Sequence, residues 1–237
     1  MDYYELTMSN GYFEKGFKDK MVVFDMFYRK NPDNGGFVVS AGLEQLIEYI
    51  ENMHFSKEDI EFLRSKGEFS EGFLQYLADF KFTGNIDALP EGTICYPNTP
   101  IVTVTAPVIE AQLIETMLLL TMNFQSLIAT KASRICRTAA ESGAVVMEFG
   151  ARRAHGGDAA ILGARAAYIG GAAATATVMA DERFGVPAIG TMAHSWIQFF
   201  DNEYEAFKAY AEVYPDNCTL LIDTYAVSYT HLTLPTT

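Results

Sequence analysis

Three short segments hold the residue types that do chemistry on anionic substrates. Glu148-Phe149-Gly150-Ala151-Arg152-Arg153 follows a strand-like run and sets two guanidinium groups side by side. Guanidinium forks match phosphate and carboxylate oxygens bidentately. Arg152 and Arg153 could therefore bind an anionic ligand; equally, one could pair with a neighbouring carboxylate while the other is solvated. Gly190-Thr191-Met192-Ala193-His194-Ser195-Trp196 places a histidine in a turn of small residues between two hydroxyls. An imidazole there can act as a base, a metal ligand or a phosphoryl acceptor, or can be a satisfied structural residue. Leu221-Ile222-Asp223-Thr224-Tyr225 ends an apolar run in a carboxylate suited to a ribose diol or Mg²⁺, or to capping the next helix.

Such groups work only if elements hold them at one edge of a sheet, and the hydrophobic pattern supplies those elements. The first 107 residues read as mixed α+β. Helices are expected near residues 3–17, along the Leu43, Leu46, Ile47, Ile50 stripe, from the Ser56/Asp59 capping box to Lys66, and over Ser70–Asp79. Strands are expected at Met21–Tyr28, Phe37–Val39, Phe80–Leu89 and Ile101–Ala106. After Pro107 the pattern changes to one long helical stretch, Val108 to Ala140, bent near Asn123. Strand and helix then alternate: strand Ala144–Phe149, helix Ala159–Tyr168, helix Thr175–Phe184, strand Val186–Gly190, helix Glu203–Val213 and strand Thr219–Thr224. Alternation of this kind predicts parallel βα units, either a barrel or a doubly wound sheet, with ligands at the carboxyl ends of the strands. No GxGxxG or Walker A sequence opens any of these helices.

The 237 residues carry 17 basic and 30 acidic side chains, a net charge of −13, which argues against a nucleic-acid partner. Between Ser126 and Gly190 the balance reverses: Lys131, Arg134, Arg137, Arg152, Arg153, Arg165 and Arg183 face five acidic residues. That local excess fits a site for an anion. No apolar run reaches the ~20 residues of a membrane span, the amino terminus lacks the pattern of a secretory signal, and Cys95, Cys136 and Cys218 form no CxxC pair. These features lead to the expectation of a cytoplasmic protein. The last twelve residues, Ala226 to Thr237, hold four threonines and no helical stripe; they read as a non-native tail on a fold cut off partway.

Together with Asp2-Tyr3-Tyr4-Glu5-Leu6-Thr7-Met8, Phe27-Tyr28-Arg29-Lys30-Asn31-Pro32, Ala41-Gly42-Leu43, Asn123-Phe124-Gln125-Ser126-Leu127-Ile128-Ala129-Thr130-Lys131 and Tyr168-Ile169-Gly170-Gly171, the three segments resemble nicotinate phosphoribosyltransferase from about residue 2 to Tyr225. Ala172-Ala173-Ala174-Thr175 departs from that pattern, where another glycine would precede the threonine. The resemblance implies an α+β domain over 1–107 followed, over 108–225, by an incomplete, irregular α/β barrel of the type II phosphoribosyltransferase kind. It implies the joining of nicotinate to 5-phosphoribosyl 1-diphosphate, giving nicotinate mononucleotide and diphosphate, with Mg²⁺ on the substrate and ATP hydrolysis coupled through a phosphohistidine at His194. By the same resemblance Tyr4 stacks on nicotinate, Thr191 lies beside it, Arg152 or Arg153 serves the anionic groups, and the complete protein forms a homodimer. Nicotinamide or quinolinate phosphoribosyl transfer, a barrel lyase or aldolase with a Schiff-base lysine, and a non-catalytic fragment are the competing readings.

Overall fold

The computed structural model describes residues 1–225; the expected tail at 226–237 lies outside the described residues. The chain forms two compact units, Met1–Ala188 and a second one beginning at Ile189. The boundary expected near Pro107 falls inside the first unit.

The first unit opens with α1 (Tyr3–Glu14), whose Asp2/Glu5 capping box fixes its start, and β1 (Met21–Met26). A 3-10 turn at Pro32–Asn34 leads to β2 (Val38–Val39) and α2 (Leu43–Asn52). Two short helices follow, α3 (Lys57–Ser65) and α4 (Glu71–Ala78). Each is started by a serine, Ser56 and Ser70, whose hydroxyl accepts a backbone N–H three residues on. β3 (Asn85–Ala88), β4 (Ile94–Cys95) and β5 (Val102–Pro107) complete the strands of this region. β5 is the centre of an antiparallel sheet of order β1-β5-β3, and β2 pairs with β4 as a separate ribbon. Strict alternation along β5 buries Val102, Val104 and Ala106. These side chains join Val38, Leu46, Ile101, Ile114, Leu118 and Met122 in one core cluster, while Leu6, Phe73, Leu74, Leu77, Ile109 and Leu113 form a second.

The long helical stretch is two helices, α5 (Val108–Leu113) and α6 (Glu115–Glu141). The break falls at Ile114, not near Asn123 as the sequence suggested. Its cause is distant in the chain: the N–H of Thr116 donates to the buried carboxylate of Glu5 at 2.7 Å, so α6 starts there with a side chain as its acceptor. Beyond Asn123 the helix runs on, because Ser126 and Thr130 face β2 and the turn after it. Their hydroxyls accept the N–H groups of Ala41 and Val39 at 3.0 and 2.9 Å. The Asn123–Lys131 signature is thus a docking seam between helix and strand. Gly42 makes the seam possible: its φ is +107°, and a Cβ would sit 2.6 Å from the Thr121 carbonyl oxygen. Gly170 does the same further along, with a Cβ falling 2.4 Å from the Ala129 carbonyl oxygen.

Parallel pairing begins after α6. β6 (Met147–Glu148) lies beside β7 (Ala174–Thr175), and Thr175 bridges in parallel to Ala188. Between them run α7 (Gly157–Ile169) and α8 (Val178–Phe184). Strand, helix, strand, helix and a third parallel segment therefore alternate; β7 falls where the sequence suggested no strand but a small-residue segment and the start of a helix at Thr175, and each strand is two residues or a single bridge long. In the second unit, α9 (His194–Phe199) starts at the histidine itself, which the sequence reading had placed in a turn, and α10 (Glu203–Val213) has the expected bounds. Thr219–Thr224, expected as a strand, is irregular. Its apolar side chains meet the compositional requirement of a strand, but a strand also needs a neighbouring ladder, and none pairs with it among the described residues.

Candidate active site

The Arg152/Arg153 pair sits where β6 ends. Gly150 leads into a 3-10 turn, Ala151–Arg153, that projects both guanidinium groups outward. Among the described residues neither arginine makes an ion pair. The obvious local partner, Glu148, is already engaged: one carboxylate oxygen accepts the Thr175 hydroxyl at 2.7 Å and the other accepts the Gly150 N–H. The pairing of one arginine with a neighbouring carboxylate, which the sequence left open, is therefore absent. Arg153 lines a cavity of about 260 Å³ with Glu148, His155, Phe124 and Ile128. Arg152 does not line this hollow, so a single guanidinium, that of Arg153, stands at its mostly apolar wall, an arrangement that can receive an anionic group. Thr175, the residue after the departure at Ala172-Ala173-Ala174, is buried and orients Glu148.

Tyr4 lines a different cleft, of about 510 Å³, with Phe27, Tyr28, Arg29, Thr116 and Asn123. The residue is 42 % exposed and lies at the surface of the cleft. Local burial, and then the adjacent Glu115 carboxylate, push the Tyr4 phenol up to about 12. It is a neutral hydroxyl on a flat aromatic wall across the physiological range, with the Arg29 guanidinium in the same cleft.

In the second unit His194 opens α9 with Asp223 and Thr224 beside it. The Nδ1 atom is 3.3 Å from the Thr224 hydroxyl, and Nε2 is 3.9 Å from the Asp223 carboxylate. The imidazole is about half exposed. Asp223 was expected at a strand end, either binding a diol or Mg²⁺ or capping the next helix; it lies in an irregular segment and faces the histidine. Among the described residues the Thr224 hydroxyl is the ring's one hydrogen-bond partner, Asp223 standing near but beyond hydrogen-bond reach, so the Nε2 edge can meet an electrophile. Thr191 donates its hydroxyl to the Thr219 carbonyl, tying the chain before α9 to the segment that carries Asp223. Among the described residues no group of three or more His, Cys, Asp or Glu side chains converges as a metal-ligand set.

Reasoning from sequence passed over two structural carboxylates. Glu5 is buried in the opening motif and ties α1 to α6. Glu91 accepts the N–H groups of Gly42 and Leu43 and holds Arg165, whose guanidinium also reaches Glu44 and Gln125. Arg165 adds to the cationic excess of its region, yet only a tenth of its side chain is exposed and its charge is used internally. The signal that could have separated it from Arg152 and Arg153 is its place in the middle of α7 among alanines, where an arginine meets a core rather than a ligand.

The sequence profile of the nicotinate phosphoribosyltransferase (NAPRTase) N-terminal domain matches residues 1–123. Nicotinate phosphoribosyltransferase pncB2 of Mycobacterium tuberculosis is 46 % identical over 224 residues, covering 94 % of this chain and 48 % of that protein. Nicotinate phosphoribosyltransferase of Bacillus subtilis is also 46 % identical over 224 residues, covering 94 % and 45 %. The crystal structure of human nicotinic acid phosphoribosyltransferase superposes with a TM-score of 0.88 at 28 % identity, covering 96 % of this chain and 55 % of that one. Nicotinate-nucleotide pyrophosphorylase from Pyrococcus furiosus superposes with a TM-score of 0.72 at 27 % identity, covering 90 % and 46 %. The chain thus spans about half the length of the curated relatives it matches.

Proposed function

The chain belongs to the nicotinate phosphoribosyltransferase family, and from that premise we propose that its residues serve the transfer of a phosphoribosyl group from 5-phosphoribosyl 1-diphosphate to nicotinate, in NAD biosynthesis. The observation that carries this reading is the 46 % identity to curated relatives of that name along 224 residues, 94 % of the chain.

In this reaction the pyridine nitrogen attacks C1′ as diphosphate departs, and positive charge builds on the ribose ring. Catalysis then rests on holding the two reactants in line and on stabilising the leaving group. Arg152 and Arg153, unpaired and adjacent, supply the forks for phosphate or carboxylate oxygens. Tyr4 offers the face against which the nicotinate ring stacks, and Thr191 lies beside the ring. Mg²⁺ arrives on the oxygens of the diphosphate substrate. ATP hydrolysis is coupled through His194, which takes a phosphoryl group on one ring nitrogen while Asp223 and Thr224 orient the imidazole. The added negative charge then reorganises the site toward tighter substrate binding. The same reading takes β6, β7 and the segment at Ala188 as the first strands of an irregular type II α/β barrel over 108–225, preceded by an α+β domain over 1–107. The complete protein is a cytoplasmic homodimer in this account.

The coupled part is tested with ATP labelled in the γ-phosphate. Acid-labile label is expected on His194 and lost in His194→Ala; label that survives this substitution overturns the assignment.

A further inference from the structure

Tyr4 lies in the first turn of α1, where backbone N–H groups have no intrahelical partner. The residue beside it is built differently. Glu5 is fully buried, and its two carboxylate oxygens are both used. One accepts the Thr116 N–H and the Thr116 hydroxyl, each at 2.7 Å, and the other accepts the Asp2 N–H at 3.1 Å. The Asp2 N–H also lies 3.2 Å from the Thr116 hydroxyl. A single carboxylate therefore closes the first turn of α1 and the first turn of α6 at once. A negative charge is favourable at both places, because each helix start presents unpaired N–H groups and a positive dipole end.

The joint bears directly on the cleft at Tyr4. Asp2 and Thr116, two of the groups bonded by Glu5, line that cleft together with Tyr4, and Leu119, Leu120 and Asn123 continue its α6 wall. The same bond to Thr116 breaks the helix at Ile114 and so sets where the α6 wall begins. We propose that Glu5 is a positioning residue: by bracing α1 against α6 it fixes the spacing between the Tyr4 ring and the opposite wall, and so the slot into which a flat aromatic ring fits. The identity of that ring as nicotinate rests on the function proposed above; the bracing itself does not.

The geometry sets what each substitution does. Glu5→Gln keeps an oxygen that accepts from Thr116 and loses only the acceptor for Asp2. Glu5→Ala removes every bond the carboxylate makes and leaves only the Asp2 N–H to the Thr116 hydroxyl. The test uses the 237-residue chain carrying ring-labelled tyrosine, with the Tyr4 resonance identified by its loss in Tyr4→Phe. In Glu5→Ala the Tyr4 resonance is expected to move to the position of a solvated tyrosine while those of Tyr76 and Tyr210, outside this cleft, stay; in Glu5→Gln all three stay. A Tyr4 resonance unmoved in Glu5→Ala overturns the proposal. So does a uniform shift of all three tyrosines, which is the signature of general unfolding. Titration with nicotinate separates the proposal from the functional reading. Weakening by roughly tenfold to a hundredfold in Glu5→Ala, the scale on which a misplacement of an ångström acts, with near wild-type binding in Glu5→Gln, supports both. A Tyr4 resonance that moves as expected in a chain whose nicotinate binding is unaffected by Tyr4→Ala leaves the bracing intact and removes nicotinate from this cleft.

Discussion

Replacing Arg165 by methionine is a direct probe of how the first unit holds together. The guanidinium reaches both oxygens of Glu91, at 2.7 and 2.9 Å, and with Glu44 and Gln125 it joins α7 to α2, α6 and the turn at Glu91. Methionine keeps most of the aliphatic stem, so the loss is that of the charge and its hydrogen bonds. Breaking a buried ion pair by deleting one partner costs about 3–5 kcal/mol. The lower end applies here, because Glu91 retains the N–H groups of Gly42 and Leu43. At about 3 kcal/mol, with ~2–4 °C per kcal/mol for a unit of this size, Tm should fall by roughly 6–12 °C. The pH dependence gives a second handle. Burial works to raise the Glu91 carboxyl, but the Arg165 guanidinium and the two N–H donors outweigh it and hold Glu91 below the ordinary carboxylate value. A lowered folded-state value means the stabilisation is fully present above the unfolded value of about 4.3 and is lost as pH falls through the folded one. The gap in Tm between wild type and Arg165→Met should thus be full at neutral pH and should narrow in acid, as pH falls past the unfolded carboxylate value and through the lower folded one. Thermal unfolding followed by circular dichroism reads both effects. A fall of less than about 2 °C, or a gap that widens in acid, would refute the reasoning.

Other outcomes follow from the same geometry. Arg152→Ala and Arg153→Ala should each weaken binding of nicotinate or of 5-phosphoribosyl 1-diphosphate by about tenfold to a hundredfold, the value of one charge-assisted contact; unchanged binding of both substrates in both variants would make the pair a solvated surface feature. Asp223→Asn should slow phosphorylation of His194 without abolishing it, since the carboxylate orients the ring and does not carry the phosphate; an unchanged initial rate of labelling would count against the contact at 3.9 Å. Gly42→Ala should cost several °C in Tm, because its Cβ would meet the Thr121 carbonyl oxygen at 2.6 Å and its φ is +107°; an unaltered Tm would show that the seam between α6 and the turn after β2 is looser than described.

Local signals in the sequence carried as far as local physics reaches. Ser56 and Ser70 mark helix starts because a hydroxyl three residues before an N–H is a complete cap in itself. The α10 helix, opened by the Asn202 side chain, needed nothing from elsewhere. What failed depends on partners far along the chain. The break at Ile114 is set by Glu5, 111 residues from Thr116, and the Val108–Glu141 stretch gives no hint of it. The Phe80–Leu89 stretch shortened to Asn85–Ala88 because only those residues face β5, and β4 was overlooked because two residues carry no period. At the candidate site, Arg152 and Arg153 were legible from their adjacency, and His194 from its turn of small residues. Their freedom or engagement was not, since it depends on Thr175 drawing Glu148 away and on Asp223 folding back to His194.

The central claim is that this half-length chain carries nicotinate-directed phosphoribosyl transfer residues in working order. The most direct measurement joins residues 1–225 to the carboxy-terminal half of the Bacillus subtilis relative and follows nicotinate mononucleotide by mass spectrometry, with nicotinate, 5-phosphoribosyl 1-diphosphate, Mg²⁺ and ATP supplied. The account predicts product from nicotinate, a rate raised by ATP, and loss of that stimulation in His194→Ala. A cooperatively folded chimera that forms no nicotinate mononucleotide, or that uses nicotinamide as readily as nicotinate, would contradict it.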